Sequence, residues 1–268
     1  MEQIIIYWLI KSAILVTSII LPSFAIWWLT QRSKYTTFFH SLNGVAPNFM
    51  SVIGLVFGLN IAFLSNEVWI TREAAKVGMS YESQSLRNIT RVSTSIPDLG
   101  GLAIIEAVKN YLEAVVSADN RAVTKDNSSL PALIKLSDAI LNRENMEKVY
   151  PSFRQMLLAE LKIVRDRSIE RTAFIETKPN KTKWLLVILL ESVTLITIAV
   201  CHISTGRALV VASFLFLSSV NTYLMVLYST QSPFSGLDRL NNSAFIKALD
   251  RVKSMEEVYK EKAAKKNN

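Results

Sequence analysis

APNFMSVIGLVFGLNIAFLSNEVWITRE, residues 46–73, is the stretch that decides the fold. Within residues 46–70 the only charged side chain is Glu67, and most of the others are apolar. A helix needs about 20 such residues to cross the roughly 30 Å hydrocarbon core of a bilayer. The stretch therefore predicts a transmembrane helix, which continues past Arg72 into a charged segment.

Three further segments have the length and composition of membrane spans, namely residues 4–29, 184–203 and 208–228. The first is interpreted as a retained anchor, because it follows Glu2, contains Lys11 and exceeds the usual core of a signal peptide. Half of the 268 residues are hydrophobic and only 19% are charged, a balance that is rare in soluble proteins. Four transmembrane helices are predicted, with the lipid bilayer as the first partner.

The remaining composition argues against several classes of protein. The chain has two histidines and one cysteine, which excludes an internal disulfide framework and makes a metal site improbable. The sequence shows no nucleophile–base pair and no metal-ligand set. No nucleic-acid recognition motif accompanies its lysines. We therefore expect no enzyme activity, no catalytic residue, no cofactor, no metal and no nucleic-acid partner.

The spans divide the chain into four predicted parts. These are transmembrane helices 1 and 2 in residues 1–70, a cytoplasmic helical domain in 71–183, transmembrane helices 3 and 4 in 184–230, and a cytoplasmic C-terminal segment in 231–268. Lys and Arg concentrate beside the spans on the side of the termini, and the positive-inside rule makes that side cytoplasmic. The predicted location is a bacterial inner membrane.

The charged segment after span two is interpreted as helix throughout. Span two is expected to continue as one helix to residue 95, and the run from Ile96 to Gly101 is expected to break it. Further helices are predicted over residues 103–123, 131–143 and 151–177. No window alternates as a strand. The predicted fold class is an all-α membrane protein with four transmembrane helices and a helical cytoplasmic bundle.

Three charged residues fall inside the predicted spans. Polar groups in the membrane are costly and become functional candidates. Lys11, Glu67 and Glu191 all lie in the cytoplasmic half, so Lys11 can pair with either carboxylate. Alternatively, each side chain snorkels to the interface alone. Glu191 is the deepest carboxylate and is expected to need a partner.

Span two carries two periodic patterns. Gly54, Gly58 and Ala62 recur every four residues and predict close packing against another helix. A separate face carries apolar side chains, an amide and a carboxylate, which suits a pore-lining helix. Its members are Val56, Asn60, Phe63 and Glu67. The alternative is that Asn60 simply hydrogen-bonds a neighbouring helix.

Several sequence blocks, taken together, resemble the bestrophin-like membrane family. They begin with GLVFGLNIAF at residues 54–63 and WITREA at 69–74. The family form E-x-x-x-L-R follows, then paired arginines before the third span, and then a P-F-x-G block after the fourth. The matching positions are Glu82, Leu86, Arg87, Arg167, Arg171, Pro233, Phe234 and Gly236. The aspartate that the family carries before P-F-x-G is replaced here around residues 229–231.

The resemblance implies a bestrophin-like architecture. More distant similarity reaches the bestrophins proper, which are pentameric, four-span anion channels with a helical cytoplasmic part. It implies a homo-oligomer, a pentameric ring, with inorganic ions as permeants and span two along the pore. The alternative is a non-conducting membrane scaffold or sensor that binds a partner through its cytoplasmic helical bundle.

Overall fold

The computed structural model describes residues 2–41, 47–96, 99–120, 129–142, 150–176, 180–234 and 239–267. Every regular element in these ranges is a helix. In chain order they are α1 Glu2–Gln31, α2 Thr36–Ser41, α3 Pro47–Ser93, α4 Leu99–Asn120, α5 Leu130–Leu141, α6 Pro151–Glu176, α7 Lys181–Cys201, α8 Gly206–Thr230 and α9 Ser243–Asn267. The predicted all-α fold class is confirmed.

Four of these helices, α1, α3, α7 and α8, are long and apolar enough to cross a membrane. They coincide with the four predicted spans. Span two was also predicted to continue as one helix into the charged segment. This prediction is confirmed, because α3 runs without a break over 47 residues. α2 was not predicted.

The chain divides into two compact units. The first contains Met1–Ile70 and Lys178–Gln231, and the second contains Thr71–Thr177 and Ser232–Asn268. In the first unit, α8 packs against both α1 and α7. Most remaining side chains of its helices point outward and are apolar, as expected for helices surrounded by lipid.

The second unit has one hydrophobic core, to which each of its helices contributes. Its fully buried side chains include Leu86, Tyr111, Leu136, Leu157 and Phe245. These come from α3, α4, α5, α6 and α9 in turn. On each helix, the buried apolar residues recur with helical spacing, so the amphipathic pattern specifies which face is buried.

The boundary between α3 and α4 corrects the bounds of one prediction. The helix breaks there as expected, but α3 ends at Ser93 and α4 already begins at Leu99, inside the run from Ile96 to Gly101. Gly101 serves close approach, since a methyl carbon built there would lie 2.5 Å from the Ser93 carbonyl oxygen. It would also lie 2.9 Å from the Tyr259 hydroxyl, which donates to the Ile96 carbonyl. Only glycine leaves room for this crossing.

α9 is a second correction, because no helix was predicted after residue 231. Phe245, Ala248 and Val252 recur at i, i+3 and i+7 and are fully buried. At the next turn, buried Glu256 accepts from Lys109 of α4 at 2.9 Å. Lys260 lies 2.6 Å from the same carboxylate. Burial raises the pKa of Glu256, but the two ammonium groups outweigh burial and lower it.

Candidate functional site

The membrane part of α3 packs through one narrow stripe. Phe57, Leu64 and Val68 recur at i, i+7 and i+11 and are buried against α7 and α8. The hydroxyls of Ser65 and Tyr223 of α8 lie 2.7 Å apart and add a polar contact. This stripe determines which other faces of α3 the chain leaves open.

The predicted pore face is centred about 90° around α3 from the packed stripe, at 100° per residue. Phe63 is 71% exposed and Val56 is 48% exposed. Asn60 lies at the margin of the packed stripe and is half-buried. The side of α3 directly opposite the stripe carries Leu55 and Leu59, both exposed. These side chains are therefore available to a neighbouring copy of the chain or to a pore.

The small-residue face of α3 is also open. A methyl carbon built on Gly54 or Gly58 would meet no described atom within 4 Å. Ala62 is exposed on the same face. No helix in the described part of the chain therefore lies against these residues. Their close packing against another helix stays a prediction.

Glu67, the last residue of the predicted pore face, forms an ion pair. Its carboxylate accepts from the Lys183 ammonium at 2.5 Å, and both side chains are about half exposed. Lys183 lies at the start of α7, which packs beside this end of the membrane part of α3. The sequence analysis had considered Lys11 as the partner of Glu67 and did not consider Lys183.

The other two intramembrane charges also have polar neighbours. Lys11 donates to the Ser229 hydroxyl of α8 at 2.6 Å. Glu191 of α7 lies beside the Asn221 amide of α8. The expectation that Glu191 needs a partner stays a prediction. Its polar neighbour is an uncharged amide, which the sequence pattern does not single out because Asn221 lies inside an otherwise apolar span.

The family-motif residues Glu82 and Arg171 meet in the core of the second unit. Glu82 is completely buried on α3, and Arg171 comes from α6. Arg171 Nε lies 3.2 Å from one carboxylate oxygen, and Nη2 lies 3.3 Å from the other. Tyr111 of α4 donates to the carboxylate at 2.5 Å. One buried carboxylate thus joins three helices.

The electrostatics of this cluster keep Tyr111 and Arg171 protonated. Burial and the Glu82 carboxylate raise the pKa of the Tyr111 hydroxyl, which therefore stays protonated and donates. Burial disfavours charge on Arg171, but Glu82 and Tyr111 outweigh burial and raise the pKa of Arg171. Phe245 of α9 closes the cluster, with its ring centre 5.8 Å from the Arg171 guanidinium carbon.

The other motif residues have separate environments. Leu86 is fully buried in the core, and Phe234 packs against that core. Arg167 lies over the Tyr81 ring and pairs with Glu170 at 2.6 Å. The Pro233 carbonyl accepts from the Leu240 amide at 2.7 Å. Arg87 is half-buried on α3, and Gly236 lies outside the described residues.

Two important residues were missed. Tyr111 was counted only as an apolar position of its helix, and Lys183 only as a basic flank of span three. A signal existed for Tyr111, because a tyrosine within a buried stripe needs a partner for its hydroxyl. Among the described residues, no group of three or more His, Cys, Asp or Glu could hold a metal ion.

Comparisons with known proteins agree with this geometry. A family model of the bestrophin-like domain matches residues 17–245. A solved bestrophin homolog from Klebsiella pneumoniae matches with a TM-score of 0.66 at 10% identity, covering 93% of this chain and 98% of its own. A tyrosine-to-alanine variant of that homolog matches with a TM-score of 0.68 at 9% identity, covering 89% of this chain and 99% of its own. A tryptophan-to-alanine variant matches with a TM-score of 0.69 at 10% identity, covering 91% of this chain and 95% of its own. No curated protein matches.

The buried ion pair generates a stability prediction. Glu82→Gln would leave Arg171 buried without a counter-charge, and we expect a loss of about 3–5 kcal/mol in the free energy of unfolding. Glu113→Gln is the matched control, because Glu113 pairs with Lys253 on the surface. An exposed pair contributes less than about 1 kcal/mol. Thermal unfolding of the purified proteins measures both, and equal losses would contradict a special role for Glu82.

Proposed function

This chain belongs to the bestrophin-like family, and from that premise we propose that it forms an oligomeric ring that conducts inorganic ions. The pore is lined by α3 through Val56, Asn60, Phe63 and Glu67. The ring is a pentamer, as the likeness to the bestrophins implies. The protein conducts ions and catalyses no reaction.

The open faces of α3 are the observation that carries this proposal. A membrane helix that merely anchors a chain needs no features beyond apolar side chains. α3 instead has two uncovered faces, the small-residue face from Gly54 to Ala62 and, nearly on the other side of the helix, the face that contains Phe63. In a ring of identical chains, the small residues suit contact with the next copy. The face that contains Phe63 would then turn toward the central axis.

The chemistry of the second face supports a gated path for ions. Phe63 and Val56 repeated around an axis would form apolar collars, which oppose ion passage when they exclude water. Asn60 between them offers amide groups at mid-membrane depth. The ion pair of Glu67 with Lys183 makes the mouth of the pore a ring of paired charges with little net charge. Selectivity at the mouth is therefore set by the balance within each pair.

Orientation in a bacterial inner membrane is part of the proposal. The basic excess beside the spans places both termini and the second unit in the cytoplasm. In a Cys201→Ala background, Ser204→Cys lies between α7 and α8, and Tyr150→Cys lies before α6. We expect a membrane-impermeant thiol reagent to label the first variant in intact cells and the second only after permeabilisation. The reverse pattern would overturn the orientation.

Assembly generates a separate prediction. Gly58→Leu adds a bulky side chain where close approach of a second copy is proposed, at a cost of about 1–3 kcal/mol per contact. We expect the variant to dissociate in detergent, as measured by native mass spectrometry. Ala25→Leu adds comparable bulk at an exposed position of α1 and should leave the pentamer intact. A pentamer that survives Gly58→Leu would contradict this packing.

Ion conduction is tested in proteoliposomes and planar bilayers. Phe63→Ala removes an apolar collar and should raise basal flux several-fold, whereas Leu185→Ala, on the exposed surface of α7, should not. Lys183→Gln removes the positive charge beside Glu67 and should shift the reversal potential toward cation preference. Glu67→Gln leaves Lys183 uncompensated and should shift it toward anion preference.

The double variant with both Gln substitutions provides the control for charge, since it should restore the selectivity of the wild type. A wild-type protein and a Phe63→Ala variant that both pass no ions would overturn the channel. That result would favour the scaffold alternative, in which the second unit binds a partner protein.

A further inference from the structure

The outer surface of the first unit contains an apolar groove between α1 and α8. The groove encloses about 340 Å³. Its α1 wall is formed by Ile20, Ser23, Phe24 and Trp27, which recur at i, i+3, i+4 and i+7. One continuous helical face thus supplies this wall.

The opposite wall of the groove comes from α8. It is formed by side chains at i, i+1, i+4 and i+5 on one side of that helix, which are Val210, Val211, Phe214 and Leu215. The accessible surface of both walls is almost entirely apolar. Because α1 and α8 are membrane spans, the medium that fills such a groove is the hydrocarbon of the bilayer.

Polar contacts join the ends of α1 and α8 beyond one end of the groove. The Gln31 amide donates to the Ile203 carbonyl at 2.9 Å. Gly206 lies against the same side chain, since a methyl carbon built on it would be 3.5 Å from Gln31 Cδ. These contacts hold the end of α1 beside the start of α8. The mouth of the groove is therefore at the membrane surface.

A basic residue is aligned with the groove at this mouth. Arg207 precedes Val210 and Val211 by three and four residues, so it lies on the same face of α8, one turn nearer the surface. Arg207 is exposed. Residues 12–66 and 192–237, which include this whole end of the unit, contain Arg32, Lys34 and Arg207 and no acidic residue. The mouth is therefore electropositive.

We propose that this groove binds an anionic phospholipid, with an acyl chain along α1 and α8 and the phosphate at Arg207. The walls extend about 10 Å along α1, from Trp27 to Ile20, at 1.5 Å per residue. That length matches the outer part of a chain in one leaflet. The basic mouth selects for a negatively charged headgroup over a zwitterionic one.

Charge also favours a lipid over a second copy of the chain in this groove. In a membrane, copies of one chain share one orientation. Each copy would bring Arg32, Lys34 and Arg207, and no carboxylate, to the same depth. Like charges at that level repel, whereas a phosphate is attracted. The proposed occupant is therefore a lipid of the surrounding bilayer.

The test measures the melting temperature of the purified protein in a neutral detergent, with increasing fractions of added lipid. Dioleoyl phosphatidylglycerol and dioleoyl phosphatidylcholine have the same acyl chains and differ in headgroup charge. A bound lipid stabilises the folded state by mass action. We expect half-saturation at about fivefold less phosphatidylglycerol than phosphatidylcholine, the effect of one basic group beside an anionic headgroup.

Two variants separate the headgroup from the groove. Arg207→Gln should make the two lipids equivalent and should leave the groove intact. Val211→Trp fills the groove and should abolish stabilisation by both lipids. The matched control is Val226→Trp on the same helix outside the groove, with a native exposure of 52% against 57% for Val211. This control should respond to phosphatidylglycerol as the wild type does.

Three results would overturn the proposal. The first is equal half-saturation of the wild type by the two lipids. The second is a Val211→Trp variant that responds to lipid as Val226→Trp does. The third is a change in oligomer mass with Val211→Trp while neither lipid stabilises the wild type, which would make the groove a contact between subunits. None of these readouts depends on ion flux, so they are independent of the proposed channel activity.

Discussion

Polar groups within the hydrocarbon are costly without a partner, and this constraint shapes the first unit. Helices satisfy the backbone internally, and several polar side chains also have protein partners, although the buried hydroxyls of Ser23, Ser213 and Ser218 have none among the described residues. The Thr30 hydroxyl donates a hydrogen bond to the Ile26 carbonyl one turn earlier. Lys11 donates to Ser229, and Glu191 lies beside Asn221, so two charged groups have polar neighbours on α8. These polar contacts add to the apolar clusters that pack the same helices together.

α3 is one uninterrupted helix whose outer face is suited to lipid in its first part and to water in its second. In its membrane part, the packed stripe of Phe57, Leu64 and Val68 is narrow, and apolar side chains also cover the outside. In its second part, Leu86 and Ile89 are fully buried, and polar residues cover the outside. The inner face packs against protein in both parts and is mainly apolar, with Glu82 as its buried charge. The outer face follows the surrounding medium.

The two ion pairs of α3 have different consequences. The Glu82 carboxylate is removed from water, so the stability of its buried charge depends on both Arg171 and Tyr111. Loss of one partner leaves the remaining buried polar groups without full pairing. Glu67 and Lys183 remain half exposed, so either residue can be changed with little cost to folding. The buried pair therefore contributes to architecture. The exposed pair leaves its charge available to passing ions in the proposed pore.

The sequence alone determined the four spans, the continuous α3 and the all-helical class, because length, hydropathy and helical period are local properties of the chain. It also singled out Glu82 and Arg171, through motifs, but not the contact between them or Tyr111 as their third partner. Lys183 as the partner of Glu67, α9 on the core and Gly101 at a helix crossing were decided by the tertiary structure. These contacts join residues far apart in the chain, and no local pattern encodes which distant side chain the packed helices bring within bonding distance.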